Sequence, residues 1–195
     1  MTSLFVTGTD TGVGKTILTA ALVSTARAGG HDVVPMKPVQ TGCEPDADGE
    51  PGCPDLDCVL SLAGMDVSPE HKALMSPFRY RDACSPHLAA KRENRPLRVD
   101  DIVTAYAKLT SSHDAVVVEG AGGLLVPLND RETMRDLAKE AGVPHFSRLG
   151  AVRTDTVFIK ALTGFTEFLR DKRTPCSSTG ARLCPAKFGQ CPHVS

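Results

Sequence analysis

Gly8, Gly12, Gly14, Lys15 and Thr16 stand within the nine residues "GTDTGVGKT", between a short apolar run and a helix-like pattern. Glycines allow the backbone to come close to an anion and turn its N–H groups inward, and the helix that follows presents its positive end. A lysine at position 15 reaches the terminal phosphates of a polyphosphate chain, and the Thr16 hydroxyl is a ligand for Mg2+. Five residues separate Gly8 from Gly14, one more than in the common GxxxxGK[ST] loop. Phosphate binding is the expectation for this stretch.

A magnesium ion bound to phosphates needs few protein oxygens, because it keeps several waters. Glu119 supplies a carboxylate at the end of "AVVVE", directly before "GAGG". Asp55 and Asp57 both open a helical pattern after an acidic stretch, where a carboxylate also favours the helix dipole. Lys37, in "MKPVQTG", follows a strand-like segment and is suited to hold negative charge on reacting groups. In "SPH", Ser85 and Pro86 are explained by helix capping alone.

These residues need a scaffold. "SLFVTG" and "DVVPMKPV" read as strands, the second made irregular or peripheral by its prolines. "AVVVE" is a continuous apolar run, as in a buried parallel strand. Helical spacing marks "KTILTAALVSTARAGG", "DLDCVLSLAG", "CSPHLAAKRE", "DDIVTAYAKL" and "ETMRDLAKEAG". "EPDADGEPGCP" reads as a flexible acidic loop. The alternation predicts an α/β layered fold with a mostly parallel sheet. The glycine loop, Lys37 and Glu119 then fall at carboxyl ends of strands, where such sheets bind ligands.

The 195 residues, 41% of them hydrophobic and 23% charged, suit one soluble domain. No apolar run has the length of a membrane span and no signal-peptide pattern opens the chain, so a cytoplasmic protein is expected. The seven cysteines include no CxxC pair, and the six histidines are scattered without ligand spacing. Reduced thiols are expected, not structural zinc. Up to Pro144 there are 14 Lys and Arg against 20 Asp and Glu, and from His145 onward 8 against 3. Five of the seven phenylalanines also lie beyond Pro144. Two compositions meet there.

"GTDTGVGKT", "KPVQTG", "SPH" and "VEGAGGLLVPL", in this order, resemble the dethiobiotin synthetase family over about residues 1–144. The resemblance implies a P-loop NTPase-like three-layer fold, for which the long glycine spacing is the family's own form. It implies ATP- and Mg2+-dependent carboxylation and ring closure of 7,8-diaminopelargonate with CO2, within biotin synthesis, by a cytoplasmic homodimer. Gly12, Val13, Gly14, Lys15, Thr16 and Ile17 would wrap the phosphates. Thr16, Asp55 and Glu119 would hold Mg2+, with Asp57 as the fallback for Asp55. Lys37 would be the catalytic lysine and Thr41 would face the substrate. Asp55 and the run Glu119, Gly120, Ala121, Gly122 would border the nucleotide. Neither nucleic acid nor a membrane is an expected partner.

The resemblance stops after "AGVP". The family continues with a buried strand, a "GLGT.NH"-like turn toward the partner subunit and an adenine-reading asparagine. Here residues 145–195 give one amphipathic pattern, then a stretch without period. This predicts a divergent or disordered tail, from a shifted reading frame or a fusion. It also predicts a sheet incomplete at that end and a chain that keeps the family's ancestry without its adenine-reading and cross-subunit contacts. Two other readings remain at this point: another P-loop synthetase of the cobyrinic-acid amidase or partitioning-ATPase type, and an inactive nucleotide-binding remnant with a basic tail.

Overall fold

The structure, a computed structural model, describes residues 3–8, 12–45, 49–143 and 145–146. The expected tail therefore lies outside the described residues apart from its first two, as do Thr9, Asp10 and Thr11 of the glycine loop and Asp46 to Asp48 of the acidic loop.

Four strands form a parallel sheet in the order β2-β5-β1-β6: β1 (Leu4–Val6), β2 (Val33–Met36), β5 (Ala115–Glu119) and β6 (His145–Phe146). Between them run α1 (Lys15–Ala28), α2 (Pro54–Leu62), α3 (Pro69–Met75), α4 (Pro86–Arg92), α5 (Val99–Ser112) and α6 (Met134–Glu140). β3 (Val39–Gln40) and β4 (Phe78–Arg79) make a second, two-stranded parallel sheet.

Alternation along each strand divides the core into two clusters. Val6, Val33, Ala115 and Val117 pack with α1 and with Val59 of α2. Phe5, Val34, Met36, Val116 and Val118 pack on the other face with Met75, Ile102, Leu109 and Leu137. The sheet is thus covered by helices on both faces, which is why all five residues of β5 are buried. This is the three-layer α/β arrangement. The helix starts are cut locally: Ser68 caps α3 by accepting from His71 N at 3.3 Å, and Thr133 caps α6 in a reciprocal capping box with Asp136.

Three sequence expectations change. "DVVPMKPV" is not one strand. β2 ends at Met36, Lys37 N donates to Met75 O (2.8 Å), and the chain passes into the small sheet at Val39. Pro35, which offers no N–H, is tolerated because β2 is the outermost described strand. The segment "SPEHKALM", given no element from sequence, forms α3. Finally, His145 and Phe146 pair with Phe5 and Val6, so two residues of the expected tail join the sheet as β6. The acidic loop is pinned at its neck by a Pro45–Pro51 bridge and by Gly52 N donating to Glu44 O at 2.9 Å.

Candidate active site

Strand register brings the chemistry together. Val6 is level with Glu119 across β1 and β5, and Met36 is level with Val118 across β2 and β5. The next residue after Met36 is Lys37, so its side chain emerges beside Glu119 at the carboxyl edge of the sheet. Lys37 Nζ lies 2.8 Å from Glu119 Oε1 and 2.6 Å from Asp55 Oδ2. Thr16 Oγ1 donates to the same Glu119 Oε1 at 3.0 Å. Asp55 reaches this point from the first turn of α2, whose axis is set by Leu56, Val59 and Leu60 facing the core. The ends of β2 and β5 and the first turns of α1 and α2 thus meet around Lys37 and Glu119.

Lys37 is 4% exposed and Glu119 2%. Burial on its own pushes the Lys37 ammonium toward neutrality. The carboxylates of Glu119 and Asp55 outweigh it and hold the pKa above the ordinary lysine value. The lysine is a fixed positive charge, paid for by two acids.

The glycine loop closes on the same place. Gly12 and Gly14 take left-handed backbone angles, φ 69° and 90°, and Gly14 forms the N-cap of α1 with its carbonyl accepting from Leu18 N. This leaves the first turn of α1, beginning with the buried Lys15, directed at the cavity. A cavity of about 630 Å³ runs along the site. It is lined by Gly12, Gly14, Lys15 and Thr16 of the loop, by Lys37, Thr41, Asp55 and Glu119, and by Ala121 and Gly122.

Of the residues singled out from sequence, Val13, Ile17 and Gly120 do not line this cavity. Val13 packs on Gly8, where an added Cβ would come within 2.6 Å of Val13 Cγ2. Ile17 is 53% exposed on the outer side of α1. Gly120 serves the sheet: its N–H continues the ladder to Val6 O, and a Cβ there would approach Phe5 Cε1 to 2.9 Å. Asp57, the alternative acid, turns away and pairs with Lys72 at 2.6 Å.

Sequence reasoning passed over several walls of the cavity. Gln40 lies within "KPVQTG", Val126 within "VEGAGGLLVPL" and Cys84 at the head of "CSPHLAAKRE", none with a chemical signal of its own, and Ala83 carries no pattern at all. Capping alone does not account for Ser85. It occupies the N-cap of α4, yet its hydroxyl makes no capping bond and it lines the cavity instead. Nδ1 of neighbouring His87 is buried without a hydrogen-bond partner among the described residues.

The donor set suits a small hard cation. Thr16 Oγ1 and the Asp55 and Glu119 carboxylates are all oxygen donors, the two acids gathered about Lys37 and Thr16 bonded to Glu119, beside the glycine loop that lines the cavity.

Comparison with known proteins agrees with this geometry. A family model described as an AAA domain matches residues 2–145. A protein of Anaeromyxobacter dehalogenans named ATP-dependent dethiobiotin synthetase is 44% identical over 166 residues, covering 83% of this chain and 71% of its own. This chain belongs to the dethiobiotin synthetase family. A protein of the same name from Mycobacterium (strain JLS) is 40% identical over 191 residues, 97% of this chain and 79% of its own. That alignment runs well past His145. A third, from Nitrosospira multiformis, is 41% identical over 139 residues, 71% of this chain and 58% of its own. The partitioning-ATPase and amidase-type readings are not favoured. Among the described residues no helix is long and apolar enough to cross a membrane.

Proposed function

We propose that this chain is an ATP-dependent ligase that closes the ureido ring of dethiobiotin from 7,8-diaminopelargonate and CO2. The observation that carries the reading is the convergence of Lys37, Asp55, Glu119 and Thr16 on one point beside the phosphate loop.

The reaction has three steps. One substrate amine adds to CO2 and loses a proton, giving a carbamate. A carbamate oxygen takes the γ-phosphoryl group, releasing ADP. The second amine attacks the carbonyl carbon, the C–O bond to phosphate breaks, and a proton leaves the new amide. No enzyme nucleophile is required, so the protein contributes position and charge. The amides from Gly12 to Ile17 and the Lys15 ammonium would hold the phosphates. Lys37 would lie against the carbamate and the transferring phosphoryl group, both anionic. Thr41, on the cavity wall, would position the substrate.

Magnesium, when bound, would neutralise the phosphate oxygens, and Thr16, Asp55 and Glu119 would hold it. The reading also takes over the family's homodimer and cytoplasmic setting, and assigns no nucleic-acid or membrane partner. The residues after β6, 147–195, would be a divergent tail, a proposal that sequencing the coding DNA in every frame tests.

Labelled bicarbonate supplied with ATP, Mg2+ and diaminopelargonate tests the function. Label in dethiobiotin, matched by one phosphate released per ring, is the expected result. Phosphate release that ignores the diamine would exclude this assignment.

A further inference from the structure

Asp32, His71 and His113 form a second polar cluster, at the opposite end of the sheet from the cavity. Asp32 directly precedes β2, His113 ends α5 two residues before β5, and His71 lies on α3. His71 Nε2 and His113 Nε2 face each other at 3.1 Å, their rings nearly perpendicular at 89° with centroids 5.0 Å apart. Nitrogens bound at about 2.0–2.1 Å to one tetrahedral zinc ion are themselves about 3.3 Å apart. The two imidazoles therefore stand at the separation of neighbouring ligands on a single ion.

A built outer layer supports them. Asp32 Oδ2 is 2.7 Å from His113 Nδ1. That contact sets the proton on Nδ1 and leaves the Nε2 lone pair turned toward His71, the carboxylate–histidine arrangement common behind metal ligands. Asp32 is itself held, by Arg27 Nη1 at 3.4 Å and through its own N–H donating to Asp114 Oδ2 at 2.8 Å. His113 also occupies the C-cap of α5, where the helix dipole favours positive charge. Its side chain keeps 14% exposure and Asp32 53%, so an ion can enter from solvent.

We propose that His71 and His113 bind one zinc-like divalent transition ion, with Asp32 orienting His113. Paired imidazoles select such an ion over Mg2+, which prefers oxygen. Among the described residues no group of three or more His, Cys, Asp or Glu side chains could hold a metal ion, so the two imidazoles are the only protein ligands proposed. Water completes the coordination, and the ion exchanges readily. The two histidines stand 42 positions apart along the chain, which hides the pair from any spacing rule. The site is independent of the nucleotide reaction.

The test is a zinc titration of the full chain without nucleotide, followed by the ring-nitrogen NMR signals of the histidines, since cysteines elsewhere also take up zinc. The Nε2 signals of His71 and His113 should move together while His113 Nδ1 stays protonated, and Mg2+ should move neither. His113→Ala should abolish the shift at His71. His71→Ala, on a surface helix, gives the reciprocal test if the first variant folds poorly. Asp32→Asn should weaken zinc binding by about 10–100-fold. Unmoved His71 and His113 signals at saturating zinc would show a plain histidine–histidine hydrogen bond and overturn the proposal. An equal zinc stoichiometry in wild type and a variant carrying both His71→Ala and His113→Ala would overturn it too.

Discussion

Lys37 Nζ donates to Glu119 Oε1 across 2.8 Å, and strand register, not loop conformation, places the two together. The same ammonium sits 2.6 Å from Asp55. On the proposed function, a divalent cation held by Asp55 and Glu119 would have to share those carboxylates with Lys37.

Lys37→Met should then bind Mn2+ more tightly than wild type in the absence of nucleotide, by about tenfold or more, since two acids lose their internal cation. Mn2+ paramagnetic resonance measures it. Ring closure in the same variant should fall by about 10²–10³-fold. Unchanged Mn2+ affinity would mean that the lysine and the metal do not share the carboxylates.

Glu119→Gln leaves Lys37 buried with Asp55 alone. Breaking a buried pair from one side costs about 3–5 kcal/mol, to be read from urea denaturation. Asp57→Asn, whose partner Lys72 is partly exposed, should cost less than about 1 kcal/mol.

Alkaline pH should weaken the fold. The raised Lys37 pKa means its ion pairs contribute fully below the ordinary lysine value of 10.5 and are lost as pH climbs through the higher folded value. Tyr80 acts in the same direction. Its phenol is pushed up by burial to about 12, so the neutral form stabilises the fold below the ordinary value of 10.0 and that contribution drains away toward about 12. With two tyrosines and no tryptophan in the chain, absorbance at the phenolate band follows Tyr80 and Tyr106 directly. Neither should ionise at the ordinary tyrosine pH, because burial raises Tyr106 as well.

Much of the site was legible in the sequence because its residues sit where element ends announce themselves. "VTG" and "VEG" mark a strand stopping at a glycine, and a parallel sheet puts such ends on one edge. Lys37 was legible for the same reason, although the break after Met36 was not: the hydrogen bond to Met75 that ends β2 comes from α3, a helix too short to show a clear period. Asp55 and Asp57 could not be separated from sequence, since both open α2. Only the direction of the helix tells them apart, sending one to Lys37 and the other to Lys72. Gly120 belongs to a motif that surrounds the site, and the sequence does not show that its missing side chain also makes room for Phe5.

That last difference is measurable. Gly120→Ala forces a Cβ to within 2.9 Å of a buried phenylalanine ring, and should cost about 1–3 kcal/mol in thermal unfolding while leaving ATP affinity nearly unchanged. Gly12→Ala has open space but a left-handed backbone, and should act on nucleotide affinity first.

Calorimetric titration of the intact chain with Mg·ATP tests the shared phosphate and cation site most directly. Saturable binding that needs Mg2+ and disappears in Lys15→Ala is the predicted result. Binding that survives Lys15→Ala, or is indifferent to Mg2+ and to Glu119→Gln, would contradict it.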